Sequence, residues 1–146
     1  MIGLDVVFAK SGYTAVIMAV YDDYRGNDIG YGYVYTKVDW DRIQNRKIFP
    51  EDGIANYYFG YSVVTSVSLA IFGTSARYAE EDHGGSAYIV DDIFVQCITP
   101  TPLLQLVADG VTDGDQFGYS VSVFDIWAII GDPNSDNAKG RACLYK

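Results

Sequence analysis

The chain repeats itself, and this limits its folds more than any other feature. Phe59-Gly60-Tyr61-Ser62-Val63 and Phe117-Gly118-Tyr119-Ser120-Val121 are the same five residues, 58 positions apart. Each is followed by a short polar turn and then an apolar run, Leu69-Ala70-Ile71-Phe72-Gly73 or Trp127-Ala128-Ile129-Ile130-Gly131. An acidic, polar loop comes next, and a further segment opens on glycine: Gly85-Ser86-Ala87-Tyr88-Ile89 or Gly140-Arg141-Ala142-Cys143-Leu144. A more divergent copy precedes both. Ile2-Gly3 stands 57 positions before Phe59-Gly60, Ala15-Val16-Ile17-Met18 matches the apolar runs, and Gly30-Tyr31-Gly32-Tyr33-Val34-Tyr35 matches the third segment. Gly30, Gly85 and Gly140 are each 55 positions apart. Two anchors with nearly equal periods define a repeat architecture.

Each copy reads as strand, tight turn, strand, long loop, strand. A fourth segment joins the copies: Ile43 to Phe49 before Asp52-Gly53, and Leu103 to Ala108 before Asp109-Gly110, each pair a turn signal. The second strand is continuously apolar, as expected when both faces are buried. The fourth is mixed and charged (Arg42, Arg46 and Lys47), as expected at an outer edge. With fifteen Gly and thirteen Tyr, the composition suits pleated sheets and close turns. The expected fold is all-β: a partial β-propeller of about three four-stranded antiparallel blades, the last incomplete. The blades are expected at about 2–50, 59–108 and 117–146 of a single segment. That is fewer than the roughly four to eight blades of a typical closed ring. We expect a fragment of a larger propeller, with assembly of several copies through exposed blade faces as the alternative.

These residues resemble the FG-GAP repeat family, the propeller repeats related to the head of integrin α chains. The resemblance rests on Asp115-Gln116-Phe117-Gly118-Tyr119-Ser120-Val121, on Ile129-Ile130-Gly131-Asp132-Pro133 and on Gly140. The middle copy adds Phe59 to Val63 and Gly84-Gly85-Ser86-Ala87-Tyr88, and the lead-in from Ala108 to Gln116 is similar to that of bacterial-type members. The first copy departs from the pattern, with Ile2 for Phe and Met18-Ala19 where Gly is usual. The resemblance implies an extracellular or cell-surface protein with a binding or adhesion role. Many such repeats carry a DxDxDG calcium loop in the first hairpin. Here that hairpin is Ser66-Val67-Ser68 or Phe124-Asp125-Ile126, too short for one, so calcium does not carry over.

The formal charge of −9 disfavours nucleic acid, whose phosphates it repels, and favours cations or basic partners. No apolar run reaches membrane-span length, so membrane insertion is not expected, and the N-terminus does not read as a signal peptide. Cys97 and Cys143 lack metal-site spacing and are read as a disulfide or as two buried thiols. Asp132, Asn134 and Asp136 have a D-x-N-x-D spacing, so they are candidate calcium ligands, set against a polar turn closed by its own side chains. The same two readings apply to Asp109, Asp113 and Asp115, while Asp22, Asp23 and Asp28 read as a solvated face. His83, the one histidine, sits beside Glu80, Glu81 and Asp82 in an exposed loop. Tyr21, Tyr24, Tyr57 and Tyr58 are candidate partner-binding aromatics; Tyr33, Tyr61, Tyr88 and Tyr119 are expected to pack between blades. No cofactor is called for, and nothing in the sequence reads as a catalytic triad, metal cluster or histidine set. The expected function is a non-catalytic binding scaffold, with a self-assembling blade unit or a propeller-hydrolase fragment as alternatives.

Overall fold

The computed structural model describes residues 5–8, 14–23, 27–38, 41–66, 69–75, 84–91 and 103–146. Ile2-Gly3, Tyr24, the loop from Glu80 to His83, and Cys97 lie outside them.

Three antiparallel sheets follow one another along the chain. The first holds β1 (Asp5–Phe8), β2 (Thr14–Ala19), β3 (Tyr31–Val38) and β4 (Asp41–Ile48). The second holds β5 (Ser62–Thr65), β6 (Ala70–Gly73), β7 (Ala87–Val90) and β8 (Leu104–Leu106). The third holds β9 (Ser120–Phe124), β10 (Trp127–Asp132) and β11 (Arg141–Tyr145). Spatial order equals chain order in each, so among the described residues no strand crosses over. This is the all-β, partial-propeller architecture that the repeat implies.

The register explains why the second strands are apolar throughout. Val16 pairs with Val34, Ile71 with Ile89 and Ile129 with Leu144. One residue on, Ile17 pairs with Tyr33, Phe72 with Tyr88 and Ile130 with Cys143. Because side chains alternate across a strand, the first set forms one face of each sheet and the second set the other. We call these the leading face, toward the next sheet, and the trailing face, toward the previous one. The leading face of the first sheet (Val16, Met18, Val34) packs on the trailing face of the second (Ala70, Phe72, Tyr88, Val90). The leading face of the second (Ile71, Ala87, with Ile89 and Val64) packs on the trailing face of the third (Ala128, Ile130, with Cys143 and Tyr145). The sheet that lies between the other two therefore has its second strand covered on both sides, and all four residues of β6 are buried.

The loop from Asp132 to Gly140 contains one element that its composition does not announce. α1 (Ser135–Ala138) is a single turn with Asp136, Asn137 and Ala138 at φ of 53°, 57° and 65°. This is the left-handed region, tolerated by Asp and Asn and unfavourable for Ala.

Candidate binding surface

The Phe-Gly motif is a turn with a buried anchor. The Tyr61 N–H donates to the Tyr58 carbonyl at 3.0 Å, and the Tyr119 N–H to the Gln116 carbonyl at 3.0 Å. Gly60 and Gly118, third in each turn, have φ of 81° and 93°. A type II turn requires positive φ there, which glycine adopts without strain. The preceding Phe59 and Phe117 are fully buried. Phe59 stacks on Phe72 at 5.2 Å between centroids and meets Tyr88 edge-on at 5.5 Å, while Phe117 meets Tyr145 edge-on at 6.4 Å.

The same turn ties each sheet to the one before it. The Phe59 N–H donates to the Ile29 carbonyl (2.8 Å), and the Phe117 N–H to the Gly84 carbonyl (2.6 Å). The acceptors immediately precede Gly30 and Gly85. A Cβ on either glycine would overlap the backbone of Phe59 or Phe117 respectively. The periodic glycines are thus places where one unit's backbone lies against the next.

The residue after each Phe-Gly points outward. Tyr61 and Tyr119 are 37% and 41% exposed, and their rings lie 5.0 Å apart at a 42° tilt. They pack against each other between the second and third sheets, as expected, but at the surface and not in the core, because a turn that buries its second residue turns its fourth toward solvent. Of the loop tyrosines, Tyr21 is 48% exposed and meets the half-buried Tyr58 edge-on at 5.8 Å.

Tyr57 is buried and belongs to an internal polar network. Its hydroxyl lies 2.8 Å from Ser86 Oγ and 2.9 Å from the Tyr88 hydroxyl, which donates to the Asp52 carboxylate at 3.1 Å. The Gln105 side-chain amide donates to Ser86 Oγ (2.9 Å) and the Tyr88 hydroxyl (3.2 Å). Burial pushes both phenols above the usual tyrosine range, and for Tyr88 the neighbouring Tyr57 and Asp52 push further. Both stay neutral at ordinary pH and serve as hydrogen-bonding groups.

The acidic candidates go to separate partners. Asp132 is fully buried, and its Oδ2 accepts from Arg141 Nε at 2.7 Å across the β10–β11 pair. Burial raises its pKa, and the guanidinium only partly offsets this. Its Oδ1 and Arg141 Nη2 are buried without a hydrogen-bond partner. The Asn134 side-chain amide donates to Gln116 Oε1 at 2.8 Å and to the Gly114 carbonyl at 3.1 Å. Asp136 forms an exposed ion pair with Lys139 at 2.8 Å. Asp115 closes its own turn, accepting from the Thr112 N–H (2.8 Å) and hydroxyl (3.1 Å). Thr112, Asp113, Asp115, Asn134, Asp136 and Arg141 help to line an open polar depression of about 530 Å³. Among the described residues, no group of three or more His, Cys, Asp or Glu is placed to hold a metal ion.

In the first sheet's loop, Asp23 Oδ1 accepts from the Asp28 N–H at 2.8 Å. Asp22 accepts from the Tyr33 hydroxyl at 3.1 Å and lies 4.0 Å from Lys47, whose ammonium sits 3.6 Å from the Tyr31 ring centroid. Cys143 is a half-buried free thiol.

Two Phe-Gly turns built alike, each locked to the glycine of the preceding unit, are matched at the level of sequence. The FG-GAP repeat profile matches residues 43–90 and 104–145, together more than half of the chain. The chain belongs to the FG-GAP repeat family. Each match runs from the fourth strand of one sheet through the first three strands of the next, β4 to β7 and β8 to β11. The FG-GAP repeat is thus offset from the sheet by one strand, so each repeat carries its own junction to the previous sheet. No curated protein matches the chain. Among the described residues, no helix is long and apolar enough to cross a membrane.

Proposed function

We propose that this chain is a non-catalytic, adhesion-type binding module of an extracellular or cell-surface protein, and that it takes a basic protein segment on its exposed tyrosines. The Tyr61–Tyr119 pair carries this reading: two adjacent half-exposed rings, set at equivalent places by rigid turns. Exposed Tyr faces attract Lys and Arg through cation–π contact. A net charge of −9 draws a cationic partner from a distance. Family membership supports the module type, while the ligand class rests on these surface features.

The test is an NMR titration with two probes, an Arg-rich peptide and a neutral oligosaccharide. We expect the peptide to shift the Tyr61 and Tyr119 ring signals, with binding weakened by salt and at least tenfold weaker in Tyr61→Ala/Tyr119→Ala. Salt-insensitive sugar binding at the same rings would replace the protein ligand with a glycan. Cleavage of a probe, or unchanged binding in the double variant, would overturn the proposal.

A further inference from the structure

We propose that the leading face of the β9–β10–β11 sheet docks the trailing face of the β1–β4 sheet of a second copy of this chain, joining copies head to tail. The occupant is read from the two junctions the molecule already makes. At each, a leading face meets the trailing face of another sheet of the same kind. On the third sheet the leading positions are Ile129 and Leu144, and they are 49% and 60% exposed. Their register equivalents are fully buried in the first sheet (Val16 and Val34); in the second, Ile71 is buried and Ile89 is half-buried, packed against the core. Phe124, 82% exposed, and Trp127 extend the apolar strip along the same face.

The backbone fittings of a junction are also repeated there. Across the second junction, Ser62 Oγ donates to the Gly118 carbonyl at 2.7 Å, and a Cβ on Gly73 would overlap that same oxygen. Ser120 and Gly131 hold these two positions on the third sheet, paired in the same register. The atoms nearest a Cβ on Gly131 belong to Ser120 of its own sheet. Gly140 keeps the positive φ of Gly30 and Gly85, at 74° against 85° and 93°. Those two glycines lie against the following unit's Phe-Gly backbone, whereas the atoms nearest a Cβ on Gly140 belong to Pro133. Glycine at both places leaves room for an incoming backbone.

The matching surface is the trailing face of the first sheet. Ile17, Tyr33 and Tyr35 are half-buried there. Ile17 and Tyr33 occupy the positions of Phe72 and Tyr88, and Tyr35 that of Val90, which complete the first junction. The two surfaces differ, so the contact is heterologous and builds a closed ring or an open filament, not a two-fold dimer. Each copy carries a charge of −9, so added salt strengthens the contact.

The test is sedimentation equilibrium on the isolated chain with two single variants, Ile129→Arg on the leading face and Ile17→Arg on the trailing face. Tyr35→Arg replaces the latter if circular dichroism shows that it fails to fold. The wild type is expected to associate in steps above a monomer, more strongly at higher salt. Each variant alone is expected to stay monomeric, because every junction it can make contains a defect. An equimolar mixture is expected to yield a dimer, joined by the one intact pair of faces. A wild type that stays monomeric at millimolar concentration, or variants that associate as the wild type does, would overturn the proposal. So would a mixture that yields no dimer; a strictly monomeric wild type would point to a following repeat of a longer chain as the natural cover.

Discussion

The second and third sheets share a Phe-Gly turn, a register and an aromatic anchor, yet their central strands face different surroundings. Ile71 on β6 is buried between two sheets; Ile129, in the same place on β10, faces solvent. Gly85 lies against a neighbouring backbone, and Gly140 against its own loop. Sequence similarity therefore does not mean equal energetic weight in a stacked repeat. What a residue contributes depends on whether a neighbouring unit covers it, as expected when stability is a sum of unit and interface contributions.

Glycine substitutions give the largest contrast. Gly85→Ala must adopt a left-handed conformation and also overlap the Phe117 backbone, so it is expected to cost more than about 4 kcal/mol. Gly140→Ala bears mainly the conformational penalty, about 1–2 kcal/mol. Urea unfolding of both variants in dilute solution measures the difference, and equal losses would break the comparison. Next come the central strands. Ile71→Ala removes a fully buried side chain and is expected to cost about 2–5 kcal/mol. Ile129→Ala is expected to stay within about 0.5 kcal/mol under the same dilute conditions.

The smallest effect concerns pH. Tyr57 and Tyr88 have folded-state pKa values raised above the unfolded value of 10.0, so the folded chain favours the neutral phenols. Their contribution is fully present below pH 10 and is lost as pH rises beyond it, because the unfolded state ionises first. Melting temperatures are expected to fall above pH 10, and less steeply in Tyr57→Phe/Tyr88→Phe.

Much of the fold was legible because the repeat is tied to backbone needs. A type II turn demands glycine at its third place and buries the aromatic before it, so FGYSV marks the junction wherever it occurs. The continuous apolar runs marked β2, β6 and β10. Burial on both faces accounts for the run in β6, while β10 carries the same run with Trp127 and Ile129 exposed on one face. The candidate site was less legible. Tyr57 reads as a loop aromatic, and only packing between sheets shows that its hydroxyl has internal partners. Tyr61 and Tyr119 read as strand residues, but the turn geometry aims them outward. Asp132 suggested a ligand by its spacing to Asn134 and Asp136; its register partner Arg141, nine positions on, becomes visible only when β10 and β11 are paired. The left-handed turn at Asp136 to Ala138 has no signal in composition, because Ala138 is an unfavourable residue for that backbone.

Residue-resolved amide hydrogen exchange on the dilute chain probes the contrast between covered and uncovered units most directly. Both central strands are hydrogen-bonded on each side, so unequal protection reports how readily each unit opens. The account predicts that amides of β6 exchange at least tenfold more slowly than those of β10. Equal protection in the two strands, or faster exchange in β6, would contradict it.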